Sequence, residues 1–169
     1  MKRIIMLIAL GCLFSGITVQ ASDFSQMDAI YLSPQSMSSI NYNVYHNTRF
    51  NYYVSFPNYF GQKGELPGNN DGIWLEGEGA NLTISGSHNM YDSIEDLYEL
   101  ELSYNNDADF EKNTTDNSVS YYKRDGETEI FCYNKLGSID CSFYLEYPAE
   151  EHDRYIDIID YMKKTIVMP

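Results

Sequence analysis

The stretch TEIFCYNKLGSIDCSFYLEYP, residues 128–148, and the AEEHDRYIDIIDYMKKTI after it, residues 149–166, decide the fold. Residues 128–133 and 139–147 are rich in aromatic and β-branched side chains. They flank a turn at 135–138 whose Gly137 can take positive φ, so a β-hairpin is predicted. With Leu136-Gly137 as a two-residue loop, Asn134 faces Ile139 and, counting outward, Cys132 faces Cys141. That pair falls at a non-hydrogen-bonded position, where side chains lie closest, and a disulfide between Cys132 and Cys141 is expected. Beyond Pro148, Tyr155, Ile158, Ile159, Met162 and Ile166 recur at the spacing of one helix face. Glu150, Glu151 and Asp153 open this helix and Lys163 and Lys164 close it, the order the helix dipole favours. A sealed hairpin with a helix lying on its sheet follows.

At the other end of the chain, Lys2 and Arg3, the apolar run 4–13 and Val19-Gln20-Ala21 have the layout of a signal peptide over residues 1–21. The run is too short for a membrane span, and no later segment is apolar enough to provide one. A lipoprotein acylated at Cys12 is the competing reading. Ala9-Leu10-Gly11 lacks the Leu such a site carries three residues before its cysteine, so a soluble periplasmic or secreted product is expected. Cleavage leaves about 148 residues, one domain by length. Without Lys2 and Arg3 there are 9 basic and 25 acidic residues, a formal charge of −16. Such a surface repels nucleic acid and anionic lipid and favours basic proteins or cations. Cys132 and Cys141 remain as an even pair, in keeping with an oxidising compartment. The 16 tyrosines, against 8 Phe and 1 Trp, suit a sheet face or an amphipathic contact surface.

Residues 22–41, with Pro34 and several Ser, read as an extended lead-in, and 42–169 as a single domain. A turn is expected at His46-Asn47, then a strand at 52–56 stopped by Pro57. A polar loop covers 61–70, and 73–85 forms a second hairpin turning at 77–79. Asp92 or Ser93 caps a helix to about Tyr104, with Ile94, Leu97, Tyr98 and Leu102 on one side. Residues 105–117 read as a long polar loop, 118–123 as a strand, and Arg124-Asp125-Gly126 as a turn. The sum is an α+β fold, an antiparallel β-sheet built from hairpins and packed against two helices.

Three patches carry a resemblance: Tyr52-Tyr53-Val54-Ser55-Phe56-Pro57; Asn69-Asn70-Asp71-Gly72 leading to Leu82-Thr83-Ile84-Ser85-Gly86; and Tyr144-Leu145-Glu146-Tyr147-Pro148. Together they resemble small exported bacterial proteins with a PsbP/Mog1-like layout, an antiparallel sheet sandwiched with helices. The resemblance covers residues 43–167 and departs at Asn70, where Gly is expected, and at the cysteine pair. It implies accessory or binding roles and transfers no catalytic residue.

Catalytic and metal-binding chemistry finds little support. His46, His88 and His152 form no metal-ligand spacing. There is no nucleophile elbow and no phosphate-binding Gly loop, and Glu76 and Glu78 are not distinguished as a glycosidase pair in so acidic a chain. An enzyme is disfavoured, and no cofactor is expected. Asn105, Asp107, Asp109, Glu111, Asn113 and Asp116 fall in an EF-hand-like register for Ca2+. Phe110, however, stands where the turn needs Gly and Asp116 where a bidentate Glu is usual, so a solvated acidic loop is the expectation. The segment 85–91 is similar to the Ser-Gly loop and Tyr of periplasmic lysozyme inhibitors.

These features point to an exported, non-enzymatic binding protein that neutralises a basic protein, a toxin or cell-wall hydrolase, in the manner of immunity proteins or hydrolase inhibitors. Glu76, Glu78, Tyr91, Asp107 and Asp109 are the candidate contact residues. The alternative is a cation- or small-ligand-binding accessory protein of the cell envelope.

Overall fold

The structure, a computed structural model, describes residues 29–32, 40–64 and 68–169. The expected signal peptide, with Cys12, lies outside the described residues. Strands β1 (Ala29–Leu32), β2 (Tyr42–Asn47) and β3 (Tyr52–Pro57) form a three-stranded antiparallel sheet. The remaining strands are β4 (Gly61–Gln62), β5 (Gly72–Gly77), β6 (Ala80–His88), β7 (Asp109–Asn113), β8 (Ser118–Asp125), β9 (Thr128–Leu136) and β10 (Ile139–Pro148). They make a second antiparallel sheet in the order β4-β5-β6-β10-β9-β8-β7. Helix α1 (Ile94–Tyr104) joins β6 to β7, and α2 (His152–Thr165) follows β10. The α+β architecture of hairpins with two helices is as the sequence predicts.

Strand β10 alternates buried and half-buried residues along its whole length, and sits between β6 and β9. Its inward residues Phe143, Leu145 and Tyr147 meet Ile84, Leu82 and Phe131 in one core. The small sheet and α2 cover that face, with Tyr155, Ile158, Ile159 and Met162 as the buried stripe of α2. The C-terminus closes the layer: Tyr53 and Val167 exchange backbone hydrogen bonds of 2.9 and 3.0 Å.

Several local expectations are corrected. The turn expected at His46-Asn47 lies at residues 48–51, because Asn47 is a buried organiser of that turn. Its amide donates to Tyr45 Oη at 3.0 Å and to the Asn70 carbonyl at 2.9 Å, and its Oδ1 accepts from the Phe50 backbone N–H at 2.8 Å. The lead-in contributes β1, which pairs with β2. The loop expected at 105–117 contains β7, whose partners run from Tyr122 to Ser118 on β8. Asn70 takes φ of 56°, the left-handed conformation in which Asn is the best-tolerated stand-in for Gly.

The Cys132–Cys141 disulfide is also overturned, for a reason of register. Leu136 pairs with Asp140, leaving 137–139 as the loop, and the Gly137 N–H donates to the Ile139 carbonyl at 2.8 Å. Cys132 therefore lies opposite Tyr144 and Cys141 opposite Lys135. The register is shifted by an odd number of residues from the expected one, which moves the two side chains to opposite faces of the sheet. Both cysteines are buried free thiols.

Candidate functional site

The face of the large sheet away from α2 is organised in lateral rows of directly opposed residues. One row crosses six strands: Trp74, Thr83, Tyr144, Cys132, Tyr121 and Phe110. Helix α1 covers its far end. Ile94 and Leu97 of α1 pack with Val119 and Leu136, and Tyr91, Tyr98 and Phe110 surround that small core. Ser93 starts α1 with a capping box: its hydroxyl accepts from the Asp96 N–H at 3.2 Å, and the Asp96 carboxylate accepts from the Ser93 N–H at 3.0 Å. Beyond α1 the near end of the row is open among the described residues. Trp74, the chain's lone tryptophan, is 46% exposed there. Tyr144 stands two strands away, about 9–10 Å by the strand spacing.

A second row, Glu76, Asn81 and Glu146, borders the open aromatic end. Glu146 accepts from Tyr144 Oη at 3.3 Å and from Asn81 Nδ2 at 3.2 Å. Lys63 Nζ donates to Asn81 Oδ1 at 2.6 Å and lies 3.7 Å from Glu76. The carboxylate of Glu146 is thus held in place with lone pairs to spare. Burial, then the charge of Glu146, pushes the Tyr144 hydroxyl up to about 12, so it stays a neutral donor. On the opposite side, Ser85 and Ser142 share a hydrogen bond of 2.8 Å. Trp74, Tyr144, Lys63, Asn81, Thr83 and Glu146 line a shallow concavity of about 480 Å³. A neighbouring one of about 420 Å³ shares Asn81 and Glu146 and adds Asp125 and Glu127. This corner is a wall of two aromatic rings beside a set of carboxylates.

The five contact residues expected from the sequence do not converge. Glu76 borders the open face, but Glu78 is occupied: it sits in the β5–β6 turn with φ of 50° and is bound by Arg154, which also holds Glu151 at 2.9 Å. Asp107 and Asp109 lie at the β7 edge, five strand spacings or about 24 Å from β5. Asp107 accepts from Lys123 at 3.0 Å, which holds its carboxyl below the usual range. Tyr91 is half-buried against α1, and burial raises its hydroxyl. Ser85 and Gly86, expected in an inhibitor-type loop, are inside β6.

The EF-hand-like register fails in the same way. Asn105 caps the C-terminus of α1, residues 109–113 are strand, and Asp116 is held by Tyr133 and by Lys135 at 2.6 Å. Among the described residues no three His, Cys, Asp or Glu side chains gather as for a metal ion. His46 stacks on Tyr53 with centroids 4.1 Å apart, His88 meets the Phe50 ring edge-on, and His152 pairs with Glu129 at 2.6 Å. Trp74, Tyr144 and Glu146 were missed by reading along the chain. Their alternation with buried Leu75 and Leu145 is the signal that places them outward.

Neither a protein-family model nor a curated protein matches the chain. Among solved structures it is similar to cyanobacterial PsbP (CyanoP) from Synechocystis sp. PCC 6803, determined in solution. The two align with a TM-score of 0.53 at 14% identity, over 80% of this chain and 99% of that one. The fold is PsbP-like. At that identity the likeness extends to architecture alone, with the antiparallel sheet and its flanking helices held in common.

Proposed function

We propose that this chain is an exported, non-enzymatic binding protein that captures a basic protein partner on the open end of its outer sheet face. The observation that carries the reading is Trp74, half exposed on a β-strand and lining one shallow concavity with Tyr144 and the Glu146 carboxylate that Tyr144 holds. Exposed Trp and Tyr are the residue types that dominate binding energy when a partner covers them. Aromatic rings beside carboxylates also suit an Arg or Lys side chain, which gains both a cation–π contact and an ion pair. The acidic excess of the whole chain would speed encounter with such a partner. In a periplasmic setting this is the chemistry of an immunity protein or hydrolase inhibitor acting on a basic toxin or cell-wall hydrolase.

The test is affinity capture from the producing cell's periplasm and secretions with the chain from Ser22, run beside the Trp74→Ala/Glu146→Gln double variant. A basic protein retained by the wild type and lost from the variant supports the reading. Equal retention by both removes this face from consideration.

A further inference from the structure

The apolar stripe of α1 runs Ile94, Leu97, Tyr98 and then Glu101, a carboxylate where the i, i+3, i+4, i+7 series calls for an apolar side chain. Glu101 is half-buried, and among the described residues only Asn105 Nδ2, at a long 3.4 Å, donates to its carboxylate. On the sheet below, Asp140 leaves β10 on the same outer face as Cys132 and Tyr144, and its Oδ1 is buried with no hydrogen-bond partner among the described residues. Among the described residues neither carboxylate makes an ion pair. The groups around them are Tyr104 at the end of α1, Tyr91 before it, Tyr121 of β8 and Cys132 of β9; burial raises the last three, which stay neutral between pH 5 and 8. Lys135, the nearest cation of β9, leaves the opposite face and is held by Asp116. Helix α1 also has no basic residue in its last turn, so an ionised Glu101 there meets the negative end of the helix dipole uncompensated.

We propose that α1 is fastened to the sheet by protons: with Glu101 and Asp140 neutral its C-terminal half lies down over Tyr121 and Cys132, and with both ionised that half lifts. Lifting lengthens the open aromatic row from Trp74, Thr83 and Tyr144 to include Cys132 and Tyr121. Use of the longer row in capture rests on the binding reading above, but the motion of the helix does not. Burial, then the charge of Glu101, pushes the Asp140 carboxyl up to about 6, and burial raises Glu101. Both carboxyls are raised in the docked state, so docking is strongest at acid pH and weakens as pH rises through about 6. The N-terminal half stays anchored by Ile94 and Leu97 and by Lys112, which pairs with Glu95 at 3.3 Å.

Hydrogen exchange of the isolated protein from Ser22, read by mass spectrometry at about pH 5 and about pH 7.5 and corrected for intrinsic rates, tests this. The opening constant of amides in the second half of α1 should rise about tenfold across that interval from Asp140 alone, and further with Glu101, while α2 stays unchanged. The Glu101→Gln/Asp140→Asn double variant should show no rise. Equal opening at both pH values, or a rise that survives in the double variant, overturns the proposal. A carboxyl carbon NMR titration of the wild type serves if the variant does not fold. Midpoints for both groups in the ordinary carboxylate range, about 4, would also overturn it. No partner enters these measurements, so their outcome is separate from that of the capture experiment.

Discussion

The ring of Tyr52 lies directly against the backbone of Gly86, in the space a side chain there would fill. A Cβ at residue 86 would come 2.9 Å from Tyr52 Cδ1 and closer still to Cε1. Tyr52 is fully buried and its hydroxyl donates to the Asp71 carbonyl at 3.1 Å, so the ring has no room to retreat. Gly86 thus joins the small sheet to the large one.

Gly86→Ala should therefore destabilise the fold by about 1–3 kcal/mol, the usual cost of overpacking a close-packed core. Urea denaturation measures it, with exposed Gly61→Ala, which meets nothing within 4 Å, as the control.

Alkylation of the denatured, unreduced chain from Ser22 should find two free thiols, Cys132 and Cys141, and a reductant should leave the melting temperature unchanged. In the native state with α1 docked both should resist thiol reagents. Burial pushes Cys132 up to about 12 and raises Cys141 as well, so neither is a thiolate at neutral pH.

Trp74→Ala should change stability by less than about 1 kcal/mol, since the ring is half exposed and its row neighbour is Thr83. The same substitution should cost about 2 kcal/mol or more in partner binding if the ring is an anchor. Chemical denaturation and titration calorimetry of one variant separate the two effects.

On the acid side, Asp116 should matter. Burial works against its charge, but hydrogen bonds from Lys135 and Tyr133 outweigh burial and leave its carboxyl below the ordinary value. A carboxyl lowered by folding adds stability above its unfolded pKa, near 3.9, and that contribution is lost as pH falls through the folded value. Asp116→Asn should lower the melting temperature at neutral pH and flatten its fall in acid, a difference that scanning calorimetry at pH steps will show.

What was legible in the sequence was whatever had a strong period. The i, i+3, i+4 stripe of α2 survives as read, because a buried face imposes it, and the aromatic and β-branched run 139–147 is the strand β10. What was not legible depended on partners distant in sequence. Asp109–Asn113 has one apolar residue and becomes a strand only because β8 offers it an edge. The hairpin register turns on whether the loop holds two residues or three, and that single step sent Cys132 and Cys141 to opposite faces. On α1 the stripe was traced through Leu102, which is exposed, when the inward position belongs to Glu101. The open row of Trp74, Thr83 and Tyr144 comes from three strands, so no local window contains it.

The bridge between Tyr53 and Val167 ties an early strand of the described chain to a residue near its end. Synthesis delivers residues one at a time from the N-terminus, so β3 waits for the segment after α2 before its edge is satisfied. Contacts of such sequence separation slow folding. Until that segment arrives, β3 has β2 on one side and an open edge on the other. The fold locks only when its last strand partner arrives.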